Sequence, residues 1–71
     1  MYTILQGITD AKGKFNLKSK TKHRTYKKAL QEFNNIKEAA TKFKINSNEH
    51  VLTVMCEGFR VLELYKSYRK R

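Results

Sequence analysis

The main chemical feature of this 71-residue sequence is a run of basic residues that contains no carboxylate. Half of the Lys and Arg residues lie between Lys12 and Lys28, and no Asp or Glu interrupts them. Such a run repels itself, so a sequence selected for stability alone would place acids within it. A polyanionic partner resolves the repulsion, because each neutralised phosphate releases a condensed counterion. The alternative is a solvated basic loop that maintains solubility.

A second basic cluster ends the sequence and alternates with tyrosines. Lys66 and the three final residues surround Tyr68, a mixture typical of sites where bases stack on rings and cations hold the phosphates. A tyrosine at the edge of a small core is the alternative. Two cationic clusters together favour nucleic-acid binding. The expected binding residues are Lys14, Lys18, Lys20, Lys22, Arg24, Lys27, Lys28, Tyr68, Arg69, Lys70 and Arg71.

The other reactive side chains form no catalytic or metal-binding pattern. Glu32 and Glu38 lie six residues apart, a spacing that does not place them side by side on a helix. His23 and His50 lack metal-ligand spacing, and Cys56 resembles a small buried hydrophobe more than a nucleophile. We therefore expect no enzyme, no cofactor and no metal. A small toxin-like ribonuclease, which would use Lys, Arg, Tyr or one His, is the alternative.

Composition limits the size of the fold and its cellular setting. With 71 residues and a net charge of +10, the chain has room for one basic domain, with residues 66–71 as a basic tail. A single cysteine and no apolar leader or 18-residue apolar run predict a cytoplasmic protein without a membrane span. Lys outnumbers Arg three to one, and Pro and Trp are absent. This usage is typical of AT-rich genomes and suggests a bacteriophage or an AT-rich bacterium.

A β-hairpin is predicted at the start of the chain. Residues 1–9 alternate between apolar and polar positions, and residues 14–18 do so again. Between them, residues 10–13 contain Asp and Gly, which favour a turn. Residues 19–24 are polar without a pattern, and we expect them to form a connection.

The strongest periodicity predicts one amphipathic helix. From Thr25, a candidate N-cap, apolar residues recur at spacings of four and three as far as Phe43, and residues 46–48 should end the helix. Lys27 and Lys28 would lie in the first turn, where the helix dipole disfavours cations by a few tenths of a kcal/mol up to about 1 kcal/mol. Free backbone N–H groups at this helix end donate hydrogen bonds to phosphate, so we expect the two lysines and the helix end to converge on one anion.

Two interpretations fit the last third of the chain. Residues 51–56 and 59–65 are β-branched and apolar around Glu57 and Gly58, which predicts a second hairpin. The alternative is one helix capped by Ser47, whose apolar stripe would carry a glutamate. The hairpin gives an α+β fold, ββαββ, with one amphipathic helix packed on a four-stranded, mainly antiparallel sheet. The helix gives ββαα.

Both faces of the predicted sheet carry apolar residues, although one helix covers only one face. We expect Ile4, Ile8, Val51, Met55 and Val61 on one face and Leu5, Leu52, Val54, Leu62 and Leu64 on the other. An uncovered apolar face predicts a homodimer. The alternative is an open face that stacks bases through Tyr2, Phe59 or Tyr65.

The function expected from the sequence is non-catalytic nucleic-acid binding. RNA is favoured over DNA because the sequence contains no helix-turn-helix pattern and no zinc module. The aromatic signature of an RNA-recognition motif and a GxxG loop are both missing, so the sequence indicates no particular family. The alternative is a phage-type inhibitor or interaction module whose basic face docks on an acidic host protein.

Overall fold

A four-stranded antiparallel sheet carries one helix on one of its faces. The computed structural model describes residues 1–68. The elements in chain order are β1 (Tyr2–Thr9), β2 (Phe15–His23), α1 (Tyr26–Ala39), a 3₁₀ turn (Ala40–Lys42), β3 (His50–Glu57) and β4 (Arg60–Tyr68). The strand order is β2-β1-β3-β4, and every neighbouring pair is antiparallel. The predicted ββαββ fold is confirmed, and the alternative with a C-terminal helix is wrong.

The two hairpin turns use glycine and a side-chain acceptor. Asp10 Oδ1 accepts hydrogen bonds from the N–H groups of Lys12 and Lys14, both at 2.9 Å, and Gly13 has a φ of 85°. Gly58, with a φ of 61°, begins the turn between β3 and β4. Positive φ costs glycine little. The second turn consists of Gly58 and Phe59, one residue later than predicted.

Strand β2 is longer than predicted, because residues 19–23 continue it instead of forming a connection. The strand lies at the edge of the sheet and buries little apolar surface, so its sequence can be polar. Ser19, Thr21 and His23 are half-buried towards the helix, while Lys20 and Lys22 alternate with them and are exposed. The alternation is therefore real but entirely polar, and a search for apolar residues at every second position does not detect it.

Helix α1 begins as predicted and ends earlier. Thr25 is extended, with φ −116° and ψ 146°, and its Oγ1 accepts a hydrogen bond of 3.3 Å from the N–H of Lys28. The α-helical part stops at Ala39, and a 3₁₀ turn follows. In that turn the Thr41 hydroxyl donates a 3.0 Å hydrogen bond to the Glu38 carbonyl. The predicted end near residues 46–48 is thus several residues too late.

The core lies between α1 and the two central strands. Ile4, Ala29, Phe33 and Met55 form a buried cluster, and Tyr2, Leu30, Ile36 and Leu62 pack against it. Gln6 adds a polar link between the layers: its Nε2 donates to the Ile36 carbonyl at 2.9 Å and to Thr53 Oγ1 at 3.0 Å. Among residues 1–68, no helix is both long and apolar enough to cross a membrane.

Two β-bulges change which side chains share a face. The register shifts between Gln6 and Gly7 opposite β2, and between Met55 and Cys56 opposite β4. The inserted residue is Lys18 in β2 and Leu62 in β4. Leu62 therefore packs against the core, and Val61 lies on the other side, 54% exposed. The predicted faces of these two residues are exchanged, because an extra residue reverses the alternation.

Candidate nucleic-acid interface

One face of the sheet carries no helix, and the strand register arranges its side chains in four rows across β2, β1, β3 and β4. We call this surface the open face. Its four rows, from one end of the sheet to the other, are Phe15, Thr9, His50, Tyr68; Leu17, Gly7, Leu52, Lys66; Lys20, Leu5, Val54, Leu64; and Lys22, Thr3, Cys56, Val61.

The open face combines cations at both edges with an apolar centre. Lys20 and Lys22 are exposed on β2, and Lys66 is exposed on β4. Leu5 and Leu52 lie half-buried between them on the central strands, and Leu17 on β2 and Leu64 on β4 are 51% and 52% exposed. None of the sixteen positions is a carboxylate. The face therefore presents apolar area flanked by positive charge only.

The acidic side chains lie elsewhere. Glu57 and Glu63 are the acids of the sheet, and their register partners, Tyr2 and Met55, face the helix. A hydrogen bond with the Glu57 carboxylate raises the pKa of the Tyr2 hydroxyl above its ordinary value. Asp10 and Glu49 lie in loops, and the helix carries the other two. No carboxylate on these elements faces the lysines of the open face.

We call the first row of the open face the aromatic row, after Phe15, His50 and Tyr68. The Phe15 ring lies against Gly7: a Cβ there would be 2.8 Å from Phe15 Cζ. On the opposite edge, the His50 and Tyr68 rings have centroids 5.4 Å apart at an interplanar angle of 43°. Thr9 lies between the two groups, and its buried Oγ1 has no hydrogen-bond partner within residues 1–68. The row thus holds an aromatic group at each edge of the sheet.

Most of the predicted cationic residues follow one edge of the molecule. We call this the cationic edge, and it consists of Lys18, Lys20, Lys22, Arg24, Lys27 and Lys28. All six side chains are exposed. They lie along β2 and through the first turn of α1, which contains no acid. The neighbouring strand β1 carries no charged residue, so it supplies no counter-charge to the edge.

The structure separates other predicted binding residues from the cationic edge. Lys14 precedes β2, whereas Lys27 follows it, so roughly 30 Å of strand lies between them. Tyr68 belongs to β4, at the opposite edge of the sheet. Residues 66–68, expected as the start of a tail, are part of β4. Arg69, Lys70 and Arg71 lie outside the described residues.

Sequence reasoning missed Phe15, His50 and Lys66 as members of a shared surface. The only signal in the sequence is the two-residue alternation of each strand, and it aligns side chains on different strands only once the register is known. Tyr68, a predicted stacking residue, lies on the open face, but Tyr2 and Tyr65 face the helix and Phe59 lies in the turn between β3 and β4. Tyr2 contacts Tyr26 of the helix at 5.7 Å between ring centroids, and Tyr65 lies beneath Lys37 Nζ at 5.2 Å.

The remaining reactive groups do not converge. His23 pairs with Tyr2 and faces the helix, whereas His50 lies on the open face at the other end of the sheet. Residues 1–68 contain no group of three or more His, Cys, Asp or Glu side chains able to hold a metal ion. A cavity of about 410 Å³ beside the 3₁₀ turn is lined by Phe43, Lys44 and Tyr68 among others and contains no carboxylate.

Comparison of the chain with protein-family models, curated proteins and solved structures finds no significant match.

Proposed function

We propose that this protein is a non-catalytic nucleic-acid-binding protein that holds phosphates along the cationic edge. One observation carries the proposal: three lysines of an exposed edge strand lie beside β1, a strand without any charge. Their mutual repulsion has no counter-charge on the neighbouring strand, and a phosphate backbone supplies one. RNA is favoured over DNA, because the described elements include one α-helix and therefore no helix-turn-helix.

The helix start supports the same proposal. Lys27 and Lys28 occupy the first turn of α1, where a carboxylate would stabilise the helix dipole. Arg24 immediately precedes the N-cap, so cations continue from the end of β2 onto the helix. The basic side chains and the N–H groups of the helix end point towards the same kind of ligand, an anion with several oxygens.

A salt titration with matched charge variants tests the proposal. The probe is a labelled 20-nucleotide RNA or DNA, and its fluorescence anisotropy gives Kd between 50 and 300 mM salt. If all six cations of the edge contact phosphates, log K should fall against log salt with a slope of up to about −4 for a single strand. Lys20→Glu/Lys22→Glu should weaken binding at least about ten-fold and reduce that slope.

The control variant Lys42→Glu/Lys44→Glu makes the same change in net charge at exposed positions beside the 3₁₀ turn. It should weaken binding less, because long-range charge is screened beyond about 10 Å at 0.1 M salt. Equal losses in both variants would mean that net charge alone drives binding and would overturn the assignment of the cationic edge.

Material that co-purifies with the protein, and labelled RNA incubated with it, separate the proposal from its two alternatives. Nuclease treatment of the co-purified material should release the partner, whereas a protein that stays bound would support docking on an acidic host protein. Labelled RNA should remain intact after prolonged incubation with the protein, and specific cleavage products would support the ribonuclease instead.

A further inference from the structure

We infer that the open face binds the bases of single-stranded nucleic acid, so that a single strand binds more tightly than a duplex of the same sequence. This inference depends on the proposed nucleic-acid binding and adds which form of nucleic acid is bound, and by which surface. The cationic edge would hold the phosphates, and the aromatic row and the apolar centre of the open face would contact the bases.

The aromatic row provides the stacking surfaces. Tyr68 is 63% exposed beside His50 on β4 and β3, and Phe15 is half-buried on β2. The ring of Phe15 lies against the backbone of Gly7, where a Cβ would come within 2.8 Å of its Cζ. Every base has a π-face that stacks on such rings, and removal of one stacked contact weakens binding by a factor of about five to a hundred.

The exposed apolar side chains of the open face argue for unpaired bases over a duplex. Leu17, Val61 and Leu64 are each more than half exposed on this face. A duplex presents phosphates and sugars on its outer surface and keeps its base faces inside the stack, so it would place charged groups against these side chains. An unpaired strand can turn its base faces towards the leucines and its phosphates towards the lysines.

The charge of the open face argues against a second copy of this chain as the occupant. Lys20 and Lys22 lie at one edge, and Lys66 lies at the opposite edge, where the two edge strands are separated by three strand spacings, or about 14 Å. Two copies packed face to face would bring lysines near lysines, because the face offers no carboxylate to pair with them. A polyanion with apolar bases complements both the charge and the apolar area.

Oligonucleotide binding with two ring variants tests the inference. The probes are labelled dT20 and a labelled 20-base-pair duplex at about 0.1 M salt, and dT20 should bind at least about ten-fold more tightly. Phe15→Leu/Tyr68→Leu keeps the charge and most of the apolar area, and it should weaken dT20 binding at least ten-fold while changing duplex binding less than three-fold. The salt dependence for dT20 should not change, since no phosphate contact is removed.

Two further variants control for loss of an aromatic ring as such. Tyr26→Leu removes an exposed ring on the helix side and should leave dT20 binding within two-fold of the wild type. Tyr68→Phe keeps the ring and should retain affinity. Circular dichroism verifies the fold of each variant. If the double variant does not fold, amide chemical shifts of the wild type should change on dT20 addition at Leu52 and Val54, and unchanged shifts there would overturn the inference.

The outcomes separate failure of the inference from failure of the proposed function. Equal affinity for duplex and dT20, or a double variant no weaker than Tyr26→Leu, would overturn the open face as a base-binding surface. In that case salt-dependent binding that is lost in Lys20→Glu/Lys22→Glu would still support the proposed function. If neither probe binds in a salt-dependent way, the proposed function itself fails. A stable mass of twice 8.4 kDa at 50 mM salt without nucleic acid would also overturn the inference, because a second copy would then cover the face.

Discussion

At the scale of single residues, Gly7 allows β1 and β2 to pack closely and leaves room for the Phe15 ring of the aromatic row. A Cβ at this position would overlap the carbonyl oxygen of Asn16 and lie 2.8 Å from Phe15 Cζ. The first neighbour is backbone of the adjacent strand, which cannot move without breaking the pairing beside the bulge at Lys18. Gly7 is therefore required by close approach of another chain segment and not by its own φ.

We predict that Gly7→Ala destabilises the fold more than Gly58→Ala. The first change forces β2 away from β1 and should lower the free energy of unfolding by about 3 kcal/mol, at the upper end of the usual cost of overpacking. The second places a side chain at a φ of 61° with open space around it and should cost about 1 kcal/mol. Urea denaturation of the two variants measures the difference, and a larger loss for Gly58→Ala would contradict the prediction.

At the scale of secondary-structure elements, the lysines at the start of α1 lower helix stability but suit the proposed binding of phosphate. Lys27 and Lys28 lie where the helix dipole opposes cations, and Thr25 provides the N-cap that the helix needs in any case. Acids at the two lysine positions would suit the dipole better. The present residues therefore make sense as ligands for an anion and not as helix stabilisers.

The variant Lys27→Glu/Lys28→Glu should change stability and binding in opposite directions. Helix stability should rise, with a gain of about 0.5–2 kcal/mol in the free energy of unfolding. Nucleic-acid binding should weaken at least ten-fold at about 0.1 M salt. Thermal unfolding and anisotropy on the same samples measure both effects. Unchanged affinity would remove the helix start from the binding surface, even if the stability gain were observed.

The order of elements was predictable from the sequence, but the composition of the open face was not. Alternation of apolar residues predicted β1, and apolar spacings of four and three predicted α1. The extension of β2 through residues 19–23 escaped detection, because an edge strand buries little apolar surface and carries no apolar alternation. The bulge at Leu62 reversed the expected faces of Val61 and its neighbour, and nothing in the local sequence indicates an inserted residue.

The candidate binding residues also divide into those that the sequence predicted and those that it did not. The cationic edge is continuous in sequence, so the acid-free run identified its members directly. The aromatic row draws Phe15, His50 and Tyr68 from three strands, and only the pairing register brings them together. Of these three, only Tyr68 was a predicted binding residue, and its basic neighbours in sequence were the reason for the choice.

At the scale of the whole molecule, the apolar area and the lysines of the open face should have opposite effects on self-association. The chain measures 35 × 21 × 16 Å along its principal axes and carries a net charge of +10. The sequence predicts a homodimer through the uncovered face, because that face is partly apolar. Its lysines and the absence of a carboxylate among its sixteen positions oppose that pairing. Salt determines which effect is stronger, since it screens the repulsion and strengthens apolar association.

We therefore predict a monomer at low salt and increasing self-association at high salt in the absence of nucleic acid. Light scattering at micromolar concentration and 50 mM salt should give a mass near 8.4 kDa that does not depend on concentration. At about 1 M salt, where the Debye length falls to about 3 Å, the mass should rise with concentration. Leu64→Lys should abolish this rise, because it replaces apolar area with a charged side chain that association would have to desolvate, at a residue of the open face that is 52% exposed. A dimer that is already stable at 50 mM salt would show that apolar burial outweighs the lysine repulsion and would establish the homodimer instead.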